Sequence, residues 1–457
     1  MFDEKGNLKT MPTPKRDETG DDDDLKLLEY RRMTLPEEFT TYTRALMGEE
    51  RFARFLGALD EPAPVSIRVN PFKAEATPET GADRVAWCRG GYYLDSRPAF
   101  TFDPLLHAGA YYVQEASSMF IDHVVRQFVH APVTALDLCA APGGKTTCLR
   151  AALPEGSRLY SNEPHPKRAQ ILAENVVKFG HPEVVVTNNY AIDYQRAGLR
   201  FGLILADMPC SGEGMFRKDP ESIGEWSPAN VEKCAALQRS ILADIWPCLL
   251  PGGLLIYSTC AFNAHENEDN IAFAVEELGA EPGAIPVEEA WRVTGPLTGP
   301  HPICRFIPGT TRGEGLAVAL LRKPETAADL PSRDRGKGRT TPLLRVLSDG
   351  IKPPQVKGKK TLPDVSQALT ILDEANPYPR VDVGYDEAIA YLRRESIALP
   401  AAAPKGLVTI CHEGFALGFA KNLGTRANNL YPQEWRIRST HRPEERPVVG
   451  LTPIVHP

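Results

Sequence analysis

The clearest pattern in the chain is an alternation of short apolar runs with amphipathic stretches between residues 133 and 321. Short apolar runs bounded by turn residues are typical of buried strands, and a helical period between them is typical of amphipathic helices. Strands that alternate with helices imply βαβ units, so we predict a doubly wound α/β domain on a mostly parallel sheet. The predicted strands are 133–138, 158–161, 184–187, 201–206, 253–258 and 315–322. One predicted helix starts at Lys145, and the others cover 165–179, 228–249 and 266–278.

The region before this domain is predicted to be a small α+β domain. Apolar residues recur at helical spacing over 35–59, and residues 64–71 alternate apolar with polar positions as a strand does. Residues 109–120 are predicted to lead into a helix that reaches Val129. Arg68, on the polar face of the predicted strand, either belongs to an ordinary half-exposed strand edge or contacts a phosphate group.

A second α+β domain is predicted at 341–440, with strands at 406–411 and 416–420 and a helix at 386–394. The polar, basic stretch 324–340 has no periodicity and is expected to be a flexible linker, and 441–457 is expected to be a tail. A solvated surface explains any one basic residue of this domain, but together they favour a polyanionic partner. They are Lys357, Lys359, Lys360, Lys405, Lys421, Arg426, Arg436 and Arg438.

The composition, 42% hydrophobic and 24% charged over 457 residues, is that of a globular protein of two or three domains. The net charge of −7 argues weakly against a nucleic-acid partner, but the acid is concentrated in residues 1–34, which we expect to be a disordered acidic leader. No apolar run reaches the roughly 20 residues that span a bilayer, and the chain does not begin with a signal-peptide pattern. We therefore expect a cytoplasmic protein without a membrane partner. Nine Cys without a Cys-x-x-Cys pair indicate neither a disulfide framework nor a metal site.

Residues 136–147 have the pattern of a strand, a tight turn with Gly143 and Gly144, and a helix start. Small residues let the backbone approach a ligand, and a helix N-terminus favours its polar or anionic end. Cys139 stands where a P-loop needs its first Gly, and the dinucleotide-binding Gly-x-Gly-x-x-Gly pattern does not occur here, so another nucleoside is indicated. Glu163 ends the next strand, where a carboxylate accepts hydrogen bonds from ribose. Asn188, Asn189 and Asp193 are open alternatives for the adenine contact.

Two neighbouring strands are each followed by a segment that carries a thiol. The strand 201–206 precedes Asp207, Cys210 and a glycine-rich turn that ends in Arg217-Lys218, and the strand 253–258 precedes Cys260. Ligands of open α/β sheets bind beyond the carboxyl ends of the strands, so two such thiols need a joint explanation. From the pattern alone, Cys210 could still be inert in an ordinary turn, and the two cations could lie on a solvated face.

Four segments, 137–147, 162–164, 207–218 and 257–267, resemble successive motifs of the Nol/Nop/Sun family of S-adenosylmethionine-dependent RNA cytosine-5 methyltransferases. Residues 64–70 and 112–119 are similar to the N-terminal part of that family. Residues 418–435 are similar to the PUA-like RNA-binding domain of its bacterial ribosomal RNA members. The resemblance implies an N-terminal RNA-binding domain at 35–125, a Rossmann-like methyltransferase domain at 126–323 and a PUA-like domain at 341–440.

The resemblance also implies roles for individual residues. Cys260 is expected to be the nucleophile that adds to cytosine, and Cys210 to assist breakdown of the adduct, although the chemistry alone does not rank the two thiols. Asp207 is expected to hold the cytosine, and Lys145, ahead of Lys218, to contact a phosphate or the base. The residues expected to bind S-adenosylmethionine are Cys139, Ala140, Ala141, Pro142, Gly143, Gly144, Lys145, Glu163, Asn189 and Asp207.

The chain departs from the family pattern at three positions. Cys139 and Met208 replace the usual small residues, which are modest packing changes, and Asn189 stands where the family has a carboxylate. The overall expectation is a monomer that methylates cytosine in RNA, with ribosomal RNA as the first candidate substrate. The alternatives are transfer RNA, a non-catalytic RNA-binding ribosome-assembly factor, and a DNA methyltransferase, which the second thiol and the PUA-like region disfavour.

Overall fold

The computed structural model describes residues 33–77, 80, 83–327, 344–357, 360–441, 443, 446–447 and 449–454. The acidic leader, apart from residues 33 and 34, and most of the predicted linker lie outside the described residues. The same is true of Lys359 and of the side chains of Lys357 and Lys360.

The N-terminal part consists of a pair of helices and a small antiparallel sheet. Its elements are α1 (Glu37–Met47), α2 (Glu49–Leu59), β1 (Val65–Val69), β2 (Ala74–Ala76), β3 (Gly91–Leu94), α3 (Pro104–His107), β4 (Tyr111–Val113) and α4 (Phe120–Phe128). The helical stretch predicted at 35–59 is broken at Gly48, whose φ of 78° no α-helix contains. The stretch predicted to lead from Gly109 into a helix holds the short strand β4, which pairs with β1. Its three residues are too few to show a strand period.

The central part alternates strands and helices as predicted. Its elements are β5 (Thr134–Asp137), α5 (Gly144–Ala152), β6 (Arg158–Asn162), α6 (Pro166–Phe179), β7 (Val184–Thr187), α7 (Ala191–Ala197), β8 (Phe201–Asp207), α8 (Glu221–Glu225), α9 (Pro228–Ile245), β9 (Leu249–Thr259), α10 (Glu268–Glu276), β10 (Glu281–Gly283), β11 (Cys304–Phe306) and β12 (Leu316–Arg322). Strands β5 to β9 are parallel, and β10 to β12 add an antiparallel edge.

The C-terminal part begins on the central sheet and ends in a two-stranded sheet with β2 of the N-terminal part. Its elements are β13 (Val346–Asp349), β14 (Gln355–Lys357), β15 (Lys360–Leu362), α11 (Val365–Leu369), β16 (Arg380–Asp382), α12 (Tyr385–Leu392), β17 (Gly406–His412), β18 (Phe415–Asn422), β19 (Ala427–Asn429) and β20 (Leu451–Pro453). Strand β13 pairs with β7, and β20 pairs with β2. Residues 346–349 therefore differ from the sequence prediction, which places them in the second domain, and residues 451–453 differ from the predicted tail. Both strands pair over long sequence distances, which local patterns do not record.

Among the described residues, the central sheet has nine strands in the order β10-β12-β9-β8-β5-β6-β7-β13, with β11 paired to β12. Successive residues of β8 face opposite sides of it: Leu203 and Leu205 pack with α4 and α5, and Ile204 and Ala206 pack with α7 and α9. Helices thus cover both faces, and the predicted doubly wound fold is confirmed. None of the described helices has the length and hydropathy that crossing a membrane requires.

Two further cores join the parts of the chain. The first buries residues of the N-terminal sheet, such as Ile67, together with residues of the C-terminal sheet, such as Leu417. The second packs α1 and α2 against Phe216 and Phe262, which lie in the loops after β8 and β9. The N-terminal helices therefore support the two loops that carry the predicted catalytic thiols.

Candidate active site

The two predicted catalytic thiols meet at the carboxyl edge of the central sheet. Strands β8 and β9 are parallel neighbours, so the loops that follow them leave the sheet side by side. Their side chains bring the Sγ atoms of Cys210 and Cys260 to 3.0 Å, and both thiols are free. The structure thus joins two residues that the sequence places in separate motifs.

Asp207 and Lys145 form an ion pair beside these thiols. Lys145 Nζ donates to Asp207 Oδ2 at 2.9 Å, and the Ser258 hydroxyl donates to Asp207 Oδ1 at 2.7 Å. Burial lowers the pKa of Lys145, but the Asp207 carboxylate and the nearby Cys260 outweigh it, so the net pKa is raised and the ammonium stays charged. Ser258 was not among the predicted site residues. It is placed by the strand register, which pairs it with Asp207.

The charges around the two sulfurs are unequal. The pKa of Cys210 is raised well above its usual value by its hydrogen bond with Cys260, by burial and by the charges of Cys260 and Glu266. The Lys145 cation, in contrast, is close enough to interact with Cys260. This arrangement keeps Cys210 a thiol and places the Lys145 cation beside the other sulfur.

The loop between β5 and α5, residues 139–144, is held by side chains of α5 and α6. The carbonyl oxygens of Ala141, Pro142 and Gly143 accept hydrogen bonds from Arg168 at 2.8 Å, Asn175 at 2.8 Å and Thr147 at 3.0 Å, respectively. Gly143 has a φ of 117°, which favours glycine. The backbone of this loop is therefore fixed before any ligand binds.

Glu163 is the residue that best tests whether this loop fits a nucleoside cofactor. Its side chain is 1% exposed, and burial raises its pKa. Its Oε1 accepts from the backbone N–H of His165, whereas Oε2 has no hydrogen-bond partner among the described residues and lies 3.5 Å from an Arg168 nitrogen. A buried acceptor left open beside a small-residue loop fits a ribose hydroxyl.

The chain matches three family models in succession. They describe the N-terminal domain of 16S rRNA methyltransferase RsmF at 35–116, the 16S rRNA methyltransferase RsmB/F at 130–322 and the methyltransferase RsmF PUA domain at 378–437. The ribosomal RNA small subunit methyltransferase F of Serratia proteamaculans (strain 568) is 32% identical over 339 residues, 68% of each chain. This chain belongs to the RsmB/F family of ribosomal RNA methyltransferases.

Other members of the RsmB/F family match over more of their length. The ribosomal RNA small subunit methyltransferase F of Escherichia coli O9:H4 (strain HS) is 28% identical over 468 residues, 87% of this chain and 96% of its own. The solved structure of a methyltransferase homolog protein from Pyrococcus horikoshii is 25% identical, with a TM-score of 0.54 over 64% of this chain and 96% of that one. These matches confirm the family resemblance that the sequence motifs indicated.

Two buried glutamates of this RsmB/F chain tie the thiol loops to each other, and the sequence motifs did not point to them. Glu213, in the Cys210 loop, accepts from the backbone N–H groups of Phe262 at 2.5 Å and Asn263 at 2.9 Å. Glu266, after Cys260, accepts from the backbone N–H of Ser211 at 2.9 Å. The Asn263 amide donates to both carboxylates. We call Glu213 and Glu266 the glutamate bridge, since each fixes the backbone of the other loop just after its Cys.

The glutamate bridge is also anchored to α9 through Gln238. Its amide nitrogen donates to Glu266 Oε2 at 2.8 Å and to the carbonyl of Pro209 at 2.9 Å. Burial and the nearby Glu213 raise the pKa of Glu266 to about 7. The signal in the sequence was an acidic residue between two glycines of the first loop, where a solvated turn would be the ordinary interpretation.

All three predicted adenine candidates are engaged within the chain. The Asn189 side chain accepts from the backbone N–H of Arg345 at 3.0 Å and donates to its carbonyl at 3.3 Å, and the Arg345 side chain donates to Asn188. Asp193 accepts from the backbone N–H of Tyr190 at the start of α7. Asn189 as a cofactor contact stays a prediction, and its observed partner is the residue just before β13.

The structure corrects the sequence interpretation of two of the remaining cations, Arg217 and Arg68. Arg217 is not on a solvated face, because its guanidinium forms a buried ion pair with Glu314 at 2.8 Å. Arg68 is not on a half-exposed edge, because β1 is the central strand of its sheet and the side chain is 3% exposed. Lys218 is exposed and makes none of the described contacts with Asp207 or the thiols. No group of three or more metal-ligating side chains occurs within the described part of the chain.

Proposed function

We propose that this RsmB/F family member transfers a methyl group from S-adenosylmethionine to carbon 5 of a cytosine in small-subunit ribosomal RNA, through a covalent bond between Cys260 and carbon 6. The observation that carries this proposal is the pair of thiols 3.0 Å apart beside the Lys145–Asp207 ion pair. The family membership and the matched PUA domain support RNA as the substrate. RNA bases are read and modified after they leave the stack.

The first thiol supplies the nucleophile that cytosine itself lacks. Carbon 5 of cytosine attacks electrophiles poorly, so the Cys260 thiolate first adds to carbon 6, and the electron pair of the double bond moves to carbon 5. A free Cys is only a few per cent thiolate near pH 7. The Lys145 cation lies near enough to Cys260 to interact with it, whereas the surroundings of Cys210 raise the pKa of its thiol and keep it protonated.

The second thiol is placed to help the adduct break down. S-adenosylmethionine, when bound, would supply its methyl group to the electron pair at carbon 5 and leave as the neutral thioether. The adduct then loses the proton of carbon 5 to solvent, and the electron pair returns to the ring and expels the Cys260 thiolate. Because the Cys210 sulfur lies 3.0 Å from the departing sulfur, its S–H donates to the developing negative charge.

Asp207 is the residue proposed to orient the cytosine. Lys145 and Ser258 each hold one of its carboxylate oxygens, so its position is fixed before the base arrives. A carboxylate so held accepts from the exocyclic amine and steadies the charge that develops on the ring. Residues 139–144 and the open oxygen of Glu163 are the groups that would hold the cofactor.

The test is methyl transfer with purified protein, labelled S-adenosylmethionine and unmethylated small-subunit ribosomal RNA, followed by nucleoside analysis. We expect label in 5-methylcytidine with the wild type and no label with Cys260→Ala. Transfer RNA and DNA of matched sequence serve as separate substrates. Label in another nucleoside, or transfer to DNA as fast as to RNA, would contradict the proposal.

A further inference from the structure

A cavity of about 350 Å³ lies where the three parts of the chain meet, away from the thiols. Its inner wall includes Arg68 and Tyr112 of the N-terminal sheet, and its outer wall includes Lys178 of α6 and Trp435 and Arg436 beyond β19. We call it the junction cavity. Pockets of this size accommodate ligands as large as a nucleotide. Neither Cys210 nor Cys260 lines it, whereas Thr147 and Asn175, whose side chains hold the cofactor loop, do.

Arg68 gives the junction cavity a buried positive charge. Its side chain is 3% exposed, and its guanidinium donates to Gln114 Oε1 at 2.8 Å and Thr147 Oγ1 at 2.5 Å. Both partners are neutral, and within the described residues no carboxylate lies within ion-pair distance of it. Buried charges in proteins are usually paired, so a charge left uncompensated at a cavity wall indicates an anionic ligand.

The other charges of the junction cavity compensate each other. Lys178 pairs with Glu174 at 2.6 Å, and the exposed rim carries one carboxylate, Glu434, and one cation, Arg436. The carbonyl oxygens that end α6 are also satisfied, since Lys73 donates to that of Lys178 at 2.6 Å. The uncompensated charge is therefore that of Arg68, one positive charge at the inner wall.

The remaining walls suit a nucleobase. Tyr112 and Trp435 are partly exposed aromatic side chains that line the cavity, and the Lys178 ammonium lies 5.3 Å from the centre of the Trp435 ring. Aromatic side chains beside cations are the usual platform on which bases of single-stranded RNA stack. A phosphate and a base together describe one nucleotide.

The junction cavity also adjoins the cofactor loop and the matched PUA domain. Its wall residue Thr147 donates to the carbonyl of Gly143, and Asn175 donates to that of Pro142. Trp435 lies at the end of the segment that matches the PUA model, residues 378–437. The cavity therefore connects the domain matched to RNA binding with the domain that carries the thiols.

We propose that the junction cavity binds one nucleotide of the RNA substrate, distinct from the target cytosine, with its phosphate at Arg68 and its base against Tyr112 and Trp435. This inference rests on the proposed function in that RNA is the substrate. It assigns to Arg68 the phosphate contact that was one of two alternatives for its position in the sequence.

The test compares Arg68→Met with wild type and with Arg97→Met, which removes an exposed positive charge from the same domain. For transfer to unmethylated small-subunit ribosomal RNA, Arg68→Met should raise KM about tenfold with kcat within about twofold. The slope of log binding constant against log salt should fall by about 1, because one phosphate contact is lost. Arg68→Lys should retain that slope, and Arg97→Met should match wild type.

Two further measurements separate failure of the cavity proposal from poor folding of a variant and from failure of the proposed function. Trp435→Leu, at the rim, should also raise KM, which tests the cavity even where Arg68→Met folds poorly. An unchanged KM and salt slope in both variants would refute the cavity proposal while leaving methyl transfer intact. If wild type methylates no RNA, the proposed function fails, and RNA retention on filters still tests the cavity.

A free nucleotide would offer the junction cavity the same phosphate and base as one nucleotide of RNA. Adenosine monophosphate, followed by its phosphorus resonance, should compete with RNA at the cavity and bind more weakly to Arg68→Met. Binding of adenosine monophosphate that depends on Arg68, with RNA affinity unchanged in Arg68→Met, would overturn the assignment to RNA.

Discussion

At the scale of single residues, Cys210 and Cys260 share one sulfur–sulfur contact but differ in charged neighbours. The carboxylate of Glu266 acts on Cys210, and the ammonium of Lys145 acts on Cys260. The family resemblance ranked the two thiols, but the local chemistry of the sequence could not, because both follow strands and both stand beside small residues. The distinction comes from residues far away along the chain, which only the fold brings near.

Asp137 allows a prediction about pH, because it is fully buried at the end of β5. Its Oδ2 accepts from Thr146, its Oδ1 has no partner among the described residues, and burial raises its pKa from 3.8 to about 7. A carboxyl whose folded pKa exceeds its unfolded value stabilises the fold most below pH 4, and this contribution is lost as the pH rises to 7. One pKa unit corresponds to about 1.4 kcal/mol, so the loss between pH 5 and pH 7 is roughly 2–3 kcal/mol.

We predict that Asp137→Asn removes most of this pH dependence. Urea unfolding without cofactor gives the free energy of unfolding of variant and wild type at pH 5 and at pH 7. The change between the two pH values is then compared between the two proteins. The exposed Glu232→Gln is the control, since it removes a carboxyl that is already solvated. An unchanged pH dependence in Asp137→Asn would show that this carboxyl is ionised in the fold.

At the scale of elements, the site depends on two loops that brace each other. Parallel neighbours β8 and β9 bring the loops close, and the glutamate bridge fixes them. Truncating Glu213 leaves the buried backbone donors of Phe262 and Asn263 and the indole N–H of Trp226 without their acceptor. Each such group costs about 1–3 kcal/mol.

We predict that Glu213→Ala lowers the free energy of unfolding by roughly 3–5 kcal/mol and kcat by about a hundredfold, since small displacements of reacting groups are costly. Glu232→Ala, a surface carboxylate on α9, should change neither quantity. Chemical denaturation and single-turnover methyl transfer measure the two effects. A variant with wild-type turnover would show that the bridge does not position the thiols.

Elements with a clear local pattern could be predicted from the sequence, whereas elements that depend on distant partners could not. The strands of the central sheet are apolar on both faces and so appear in the sequence as continuous runs, as residues 201–206 do. The strands β4 and β13 are three and four residues long and depend on partners far along the chain, so no local period reveals them. The glutamate bridge was missed because its hydrogen bonds join two loops that are far apart along the chain, and its local signal, an acidic residue between two glycines, is also typical of a solvated turn.

At the scale of the whole molecule, the N-terminal and C-terminal parts are not separate bodies. Phe100, Leu105 and Tyr111 share one core with Val408 and Leu417, and Tyr111 and the backbone of Val449 both donate to the buried Asp103. A boundary read from composition cannot show this, since each part has its own helices and strands. The C-terminal part is therefore a structural support of the N-terminal sheet.

We predict that a chain ending at residue 343 loses thermal stability and aggregates, because it exposes that shared core and removes β13 from β7. Leu417 is fully buried, so Leu417→Ala in the full chain should reduce the free energy of unfolding by about 2–5 kcal/mol. It should also lower the temperature of a single unfolding transition. Calorimetry of both proteins is the measurement. A truncated chain that unfolds at the temperature of the full chain would contradict the shared core.

In the mechanism that we propose, Cys260 forms the covalent bond and Cys210 assists its release. Cys210→Ala and Cys260→Ala, each first checked for unchanged binding of S-adenosylmethionine, are incubated with that cofactor and unmethylated small-subunit ribosomal RNA and separated on a denaturing gel. We predict that Cys210→Ala accumulates a covalent protein–RNA adduct and that Cys260→Ala forms none. An adduct that persists in Cys260→Ala would contradict it.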